Sequence, residues 1–480
     1  MAAIITTPFR KLNAENFKSD VADSTNNSVY LAIGKADAWS LSTADDTDTT
    51  PFVPGDHIDS INEAHQNILG MQKLAAGDIS HVIVRRDYGD GKTFVAWDSN
   101  DSDIFDKAFY CLTDEFKVYK CLVAGGSVTS VRPSHTDTTL PSQADGYVWK
   151  YMYTITTADA EKFLTNSFMP VKTLGMTISS NGETASVDNS ITPAGTADRP
   201  QAESQVASYN LTNAAGIERI EVTNGGTGYD GSNVTVEING DGENASVLPA
   251  NVTISNGSIT AVTLNNKGTN YTVADITFSG GGASTQATAR AVISPINGHG
   301  TDPTSELGAF YIALNAQLVG AGGGDLTTGN DFRQISIIKN PEADPARVSA
   351  AEVSVLSGTN IASSNTLNGL KIMTMNGSIA GQYAADDVIT SNTGAKAFVA
   401  KVNTTDNTLF YYQNSKTGYE EFSNGDTVTS APTGGSLTIQ GDPTTADFVK
   451  GTGDMIFLEN RNPVNRTTSQ TEDIKCIIEF

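Results

Sequence analysis

Residues 81–94 read HVIVRRDYGDGKTF, and this stretch limits what the chain can fold into more than any other. Val82, Ile83 and Val84 form a short β-branched run, which favours a strand over a helix. Arg85, Arg86 and Asp87 follow at once. Tyr88-Gly89-Asp90-Gly91 then supplies a turn, because glycine takes positive φ without a Cβ clash. A strand that runs straight into fixed cations and then turns is a scaffold corner. Arginine at such a corner holds carboxylates or backbone carbonyls in bidentate geometry. Arg85, Arg86 and Asp87 are therefore candidate packing and interface anchors, not an active site.

The same grammar recurs along the chain. Residues 28–33 (SVYLAI) read as a strand. Ser60-Ile61-Asn62-Glu63 has the form of a capping box, and Ile61, His65 and Ile68 or Leu69 recur at helical spacing. This predicts an amphipathic helix over 60–75, closed by Gly77. Residues 116–123 alternate with period two, placing Phe116, Val118, Lys120 and Leu122 on one face. Residues 145–153 (DGYVWKYMY) form a strand with Tyr147, Trp149, Tyr151 and Tyr153 on one face. Such a row serves as a sugar or base platform, or packs in a core or subunit interface; the packing reading is preferred. A short helix is expected over 158–166, capped by Thr156 or Thr157.

Composition supports a mainly β protein. About 38% of residues are hydrophobic, slightly low, while Gly, Ser, Thr, Asn and Asp are abundant, which suits many short strands and turns. The formal net charge of −24 repels nucleic acid and anionic lipid and excludes both as partners. Cys111, Cys121 and Cys476 form no CxxC, so neither a disulfide framework nor a zinc site is expected and folding in a reducing cytosol is. No apolar run approaches the roughly 18 residues of a membrane span. The N-terminal MAAIITTPFRKL is too short and too weakly apolar for a signal peptide.

At about residue 180 the texture changes. Ile217–Tyr229 (IERIEVTNGGTGY) matches Ile259–Tyr271 (ITAVTLNNKGTNY) 42 residues on, and each copy reads as a small β meander. Two copies are too few for a solenoid, so a compact β domain is expected. Core texture returns over 308–341, with a strand at 332–338. Residues 349–448 are again Gly/Thr/Asn/Ser-rich, with a small sheet or barrel over 388–402 and 407–427. Residues 455–458 and the alternating Ile474, Cys476, Ile478 and Phe480 are terminal strands. The expected layout is a core in residues 1–180, 298–345 and 451–480, with inserted β domains at 181–297 and 346–450. The three core stretches are expected to share one interior.

Each motif that would imply chemistry fails on a specific residue. Gly91-Lys92-Thr93 resembles the end of a Walker A loop, but Arg86 stands where its first glycine belongs. Asp98-x-Asn100-x-Ser102 begins like an EF-hand, but Asp103 and Phe109 occupy the Gly and Glu positions. Gly225–Asp230 (GGTGYD) fits a calcium nonapeptide until Ser232. The five histidines show no ligand spacing, and no G-x-S-x-G occurs. No catalytic, cofactor-binding or metal residue is assigned, and no cofactor.

With these segments in place, the core resembles the baseplate wedge subunit called gene product eight of T4-type contractile-tailed phages. The strings that carry the resemblance are YLAIGKADAWS (30–40), VIVRRDYGD (82–90), VYKCL (118–122), DGYVWKYMYTI (145–155), DFRQISIIKNP (331–341) and GDMIFLENRNPV with SQTEDI (453–474). Arg333 and Arg461, within the last strings, join the interface candidates. The two Gly/Thr-rich regions depart from the phage T4 pattern, and their Gly-Thr-Gly-Tyr meanders look like those in tail proteins of marine cyanobacterial phages. The resemblance implies a layered β-sandwich core with a few short helices, a homodimer and no catalysis. It further implies a place in the tail baseplate of the virion, assembled in the host cytoplasm, with the wedge proteins gene products six, seven and ten as partners. A carbohydrate-binding tail module and a polysaccharide-degrading enzyme are the rival readings.

Overall fold

The computed structural model describes residues 4–39, 48–138, 140–211, 215–230, 233–319, 326–348, 353–467 and 470–480. It is mainly β, with 38% strand against 14% helix. Short β-branched runs between Gly- and Asn-rich turns leave little room for long helices. The chain divides into two compact units. One holds Met1–Ala14, Ser80–Ala313 and Ile478–Phe480; the other holds Glu15–Ile79 and Leu314–Ile477.

In the Glu15–Ile79 and Leu314–Ile477 unit, a five-stranded sheet runs in the order Thr366–Asn368, Ile68–Lys73, Val29–Gly34, Asn330–Lys339, Asp454–Arg466. Val29–Gly34 is buried at every position and pairs antiparallel with both neighbours, Leu31 opposite Ile337 and Gln72. A strand covered on both faces takes apolar residues throughout. Tyr30, Ile68, Met71, Ile338, Leu367 and Phe448 fill the interior on one side. Asp454–Arg466 is an edge strand, which lets it carry Pro463 where the pairing register shifts between Phe332 and Gln334. A second, six-stranded sheet runs Lys371–Thr374, Thr408–Tyr412, Lys396–Asn403, Val388–Ser391, Thr427–Ala431, Ser436–Thr438 around its own core of Met373, Ile389, Val399, Leu409 and Val428.

The helix expected over 60–75 is shorter. It spans Ile58–Asn67, and His57, not Ser60, caps it by accepting from the Ser60 N–H. Residues 68–73 are a strand instead. Ile68 or Leu69 continues the helical spacing of Ile61 and His65, but the stretch from Ile68 to Met71 is buried at every position as a fully covered strand is, so the period misleads here.

In the other unit, Ile79–Val84 pairs with Phe168–Pro170, and Tyr110–Leu112, Lys117–Val123 and Val148–Thr154 form a three-stranded sheet. The helix after it runs Thr157–Phe163 with Thr156 as its cap. The aromatic row is broken. Tyr147, Trp149 and Tyr151 pack with Phe94, Tyr119 and Cys121, whereas Tyr153 joins Met152 and Val118 in a different cluster. A register shift between Val118 and Tyr119 sends Tyr153 to the other side.

The repeat forms one six-stranded antiparallel sheet, ordered Thr235–Gly240, Ala274–Ser279, Thr288–Ile293, Ile217–Asn224, Ser258–Val262, Val252–Ser255. The two copies are not separate meanders, because their strands interleave. Ile220 pairs with Val262, its own counterpart 42 residues on. The turns repeat in detail. Asn224 Oδ1 accepts from the Gly226 N–H at 2.9 Å, and Asn266 Oδ1 from the Gly268 N–H at 3.0 Å. Both glycines sit at positive φ, 64° and 68°, where an added Cβ would run into the Thr285 or the Glu243 carbonyl.

Candidate functional site

The sequence-predicted residues fall into separate places. Arg85 Nε donates to Asp87 Oδ1 at 2.8 Å and its Nη1 to the Thr165 carbonyl at 3.0 Å. Arg86 Nη2 donates to the Asp106 carbonyl at 2.7 Å, and its guanidinium lies 5.8 Å from the Tyr110 ring centroid. This corner ties the end of Ile79–Val84 to two neighbouring loops. Tyr147, Trp149 and Tyr151 are interior residues, at most 1% exposed. Tyr147 stacks on Trp149 at 5.6 Å, and Phe94 meets the same indole edge-on at 5.2 Å. A row so enclosed has no free ring face for a sugar or a base.

In the other unit, Arg333 grips Asp48 with both carboxylate oxygens, at 2.9 and 3.0 Å, and also donates to the Ala36 carbonyl. These bonds hold the Asp48 carboxyl below its usual range. The Arg461 carbonyl accepts from Trp39 Nε1 at 3.3 Å.

Three polar nodes carry the organisation of the two units, and sequence reasoning did not find them. The first is the 97–100 loop, where the repeat sheet is seated. Arg290 pairs with Asp98 and Glu221, Asn100 Nδ2 donates to the Ala291 carbonyl at 2.9 Å, and Ser99 Oγ accepts from the Ile293 N–H at 3.0 Å. The residues that begin like an EF-hand thus bind protein.

The second node lies deeper. Lys120 Nζ, on a fully buried side chain, donates to Glu306 Oε2 at 2.8 Å and sits 4.3 Å from the Trp97 ring centroid. Glu306 Oε1 accepts from the Gly300 N–H at 2.7 Å and the Asp302 N–H at 3.2 Å. His299 stands between Glu306 and Glu218, 3.8 and 3.5 Å away, and Lys267 pairs with Glu218 at 2.9 Å. Burial works against charge on both partners of the central pair and lowers the Lys120 amine. For Glu306, Lys120 and His299 outweigh burial, and the carboxyl falls to about 2. Glu218 belongs to the repeat sheet, so this node also joins that sheet to the three-stranded one.

The third node is in the other unit. Asp37 accepts from Lys35 and Lys416, each at 2.6 Å, from Tyr412 Oη at 2.9 Å and from Asn414 Nδ2 at 3.3 Å. Burial raises the Asp37 carboxyl, but the two ammonium groups override this and hold it below the usual range. Lys35 leaves the first sheet at φ 63°, and Tyr412 ends a strand of the second, so the node locks the two sheets together. Beside it lies a cleft of about 300 Å³ lined by Lys35, Trp39, Phe52, Asn67, Lys416 and Asn460. Among the described residues, no group of three His, Cys, Asp or Glu side chains could hold a metal ion, and no helix is long and apolar enough to cross a membrane. The chemistry available in these nodes is charge pairing in the interior, which fixes geometry.

Comparison with known proteins gives these anchors a context. Residues 3–124 match the protein-family model described as Bacteriophage T4, Gp8, so the chain is similar there to a family of phage proteins. The particular relative is "Baseplate wedge protein gp8" of Enterobacteria phage T4. It is 25% identical over 205 residues, covering 35% of this chain and 60% of that protein. The chain therefore spans about three fifths of the relative's length. The Arg85–Asp87 corner, the Lys35/Asp37 segment and Lys120 lie within the family match. Trp149, Arg333 and Arg461 lie beyond it.

Proposed function

We propose that this protein is a structural subunit of a phage tail baseplate wedge, without catalytic activity, located in the virion and assembled in the host cytoplasm. The observation that carries this reading is the match of residues 3–124 to the phage Gp8 family, together with the similarity to the T4 wedge protein. The physical picture supports it. A baseplate part must hold its neighbours in register, and interiors fixed by buried charge pairs and aromatic packing give rigid surfaces for that task.

In this reading the chain dimerises with a second copy and joins the wedge partners of the family, gene products six, seven and ten. The Gly/Thr-rich regions 181–297 and 346–450 act as accessory β domains. Arg85, Arg86, Asp87, Arg333 and Arg461 support the surfaces that meet neighbours, while Tyr147, Trp149 and Tyr151 stiffen the three-stranded sheet of their own unit. The test is native mass measurement of the purified protein, alone and mixed with the other wedge proteins of the same phage. The expected result is a dimer that enters a larger complex. A monomer that ignores every wedge protein would overturn the proposal.

A further inference from the structure

The register of the Lys117–Val123 and Val148–Thr154 strands places Lys120 opposite Lys150. Both side chains are buried, with the residues 0% and 2% exposed. Two carboxylates, Glu306 and Asp137, favour the charged form of Lys150 from a distance. Glu306 is taken by Lys120, and Glu218 by Lys267. Lys150 Nζ itself has no hydrogen-bond partner among the described residues.

What surrounds Lys150 is polar. The Arg199–Tyr209 helix packs on the Val148–Thr154 strand and buries Ser204 and Ser208, one turn apart on one face. A helical serine ordinarily bonds back to a carbonyl one turn earlier. Neither of these does, and both Oγ atoms are buried without a partner among the described residues. Gly300 marks where Lys150 and Ser208 converge. A Cβ built there would stand 2.7 Å from Lys150 Cε and 3.4 Å from Ser208 Oγ, and the residue takes φ 89°. A larger residue at 300 would intrude on the end of Lys150. Burial lowers the Lys150 amine to about 8 against the pull of Glu306 and Asp137, and a buried ammonium without a hydrogen-bond acceptor is costly.

We propose that Lys150 Nζ, with the Ser208 and Ser204 hydroxyls, forms an internal site for a chloride-sized monatomic anion, which supplies the acceptor these donors lack and fastens the Arg199–Tyr209 helix to the sheet. The donor set is one ammonium and two hydroxyls. It lacks the guanidinium fork that selects a planar or tetrahedral oxyanion, and it suits a sphere.

The experiment measures the thermal midpoint of the full-length protein at constant ionic strength in sodium gluconate, chloride and bromide. Halide should raise the midpoint saturably by roughly 2–6 °C over gluconate. Lys150→Met should remove the halide response, and Ser208→Ala should weaken it several-fold in apparent affinity. Bromide-soaked crystals should show an anomalous peak within hydrogen-bonding reach of Lys150 Nζ. Equal midpoints in all three salts, a halide response that survives Lys150→Met, or bromide found only elsewhere would overturn the proposal. Ser208→Ala and the bromide map keep it testable should Lys150→Met fail to fold.

Discussion

Removing the charge of Glu306 is the sharpest test of the idea that buried pairs hold this molecule in shape. Glu306→Gln keeps an acceptor for the Gly300 and Asp302 N–H groups and deletes only the partner of Lys120. Lys120 is then an uncompensated cation in a fully buried place, and breaking a buried pair on one side costs about 3–5 kcal/mol. The direction agrees with the carboxyl's fall from 4.5 to about 2 beside Lys120 and His299. The paired variant Lys120→Met/Glu306→Gln removes both charges and should recover most of the loss, to within about 1 kcal/mol of the parent. The assay is urea unfolding followed by tryptophan fluorescence in a Trp39→Phe background. The remaining Trp97 and Trp149 then report on the unit that contains the pair. A loss under about 1 kcal/mol for Glu306→Gln, or a double variant as unstable as the single, would refute the reasoning.

Other expectations follow from the same geometry. The folded-state carboxyl of Glu306 lies below its unfolded value, so its contribution is complete above about pH 4.5 and fades as pH falls towards 2; the stability gap between parent and Glu306→Gln should close over that window in urea titrations. Gly226→Ala and Gly268→Ala should each cost about 1–3 kcal/mol, because a Cβ would meet a carbonyl oxygen at 2.4 or 2.5 Å with φ positive, and equal losses in chemical denaturation would confirm that the two turns are equivalent. Trp149→Ala should destabilise by about 3–5 kcal/mol through the cavity it opens, while Arg86→Ala, which loses one carbonyl bond and a cation–π contact, should cost only about 1–2. Asp37→Asn should leave Lys35 and Lys416 facing each other and raise hydrogen exchange of the Thr408–Tyr412 strand, a readout that mass spectrometry provides.

Much of the strand content was legible because its physics is local. Val82-Ile83-Val84 before Arg85, and the period-two run ending at Phe480, announce strands through side-chain shape alone. The Arg199–Tyr209 helix was not legible. Its buried face is Gln201, Ser204, Gln205 and Ser208, so no apolar stripe exists to be read. The Thr7–Ala22 helix was missed for a related reason, since its sequence shows little apolar periodicity. The interleaving of the repeat depends on pairing between distant strands, which similarity of the two copies does not reveal. The anchoring nodes were hidden for the same cause. Lys120 and Glu306, or Asp37 and Tyr412, are far apart in the chain and become partners only when the sheets assemble. Of the candidate residues, Arg85 and Arg86 were singled out by type, because arginine at a strand end suits holding carbonyls and carboxylates, whereas Arg333 and Arg461 came from the resemblance alone.

The central claim is that this chain is a building block of a phage tail baseplate. A cryo-electron reconstruction of tails purified from the encoding phage tests it most directly. The account predicts baseplate density that accommodates both six-stranded sheets, at a fixed number of copies in each wedge. Intact tails whose baseplate density leaves no place for this chain would contradict it.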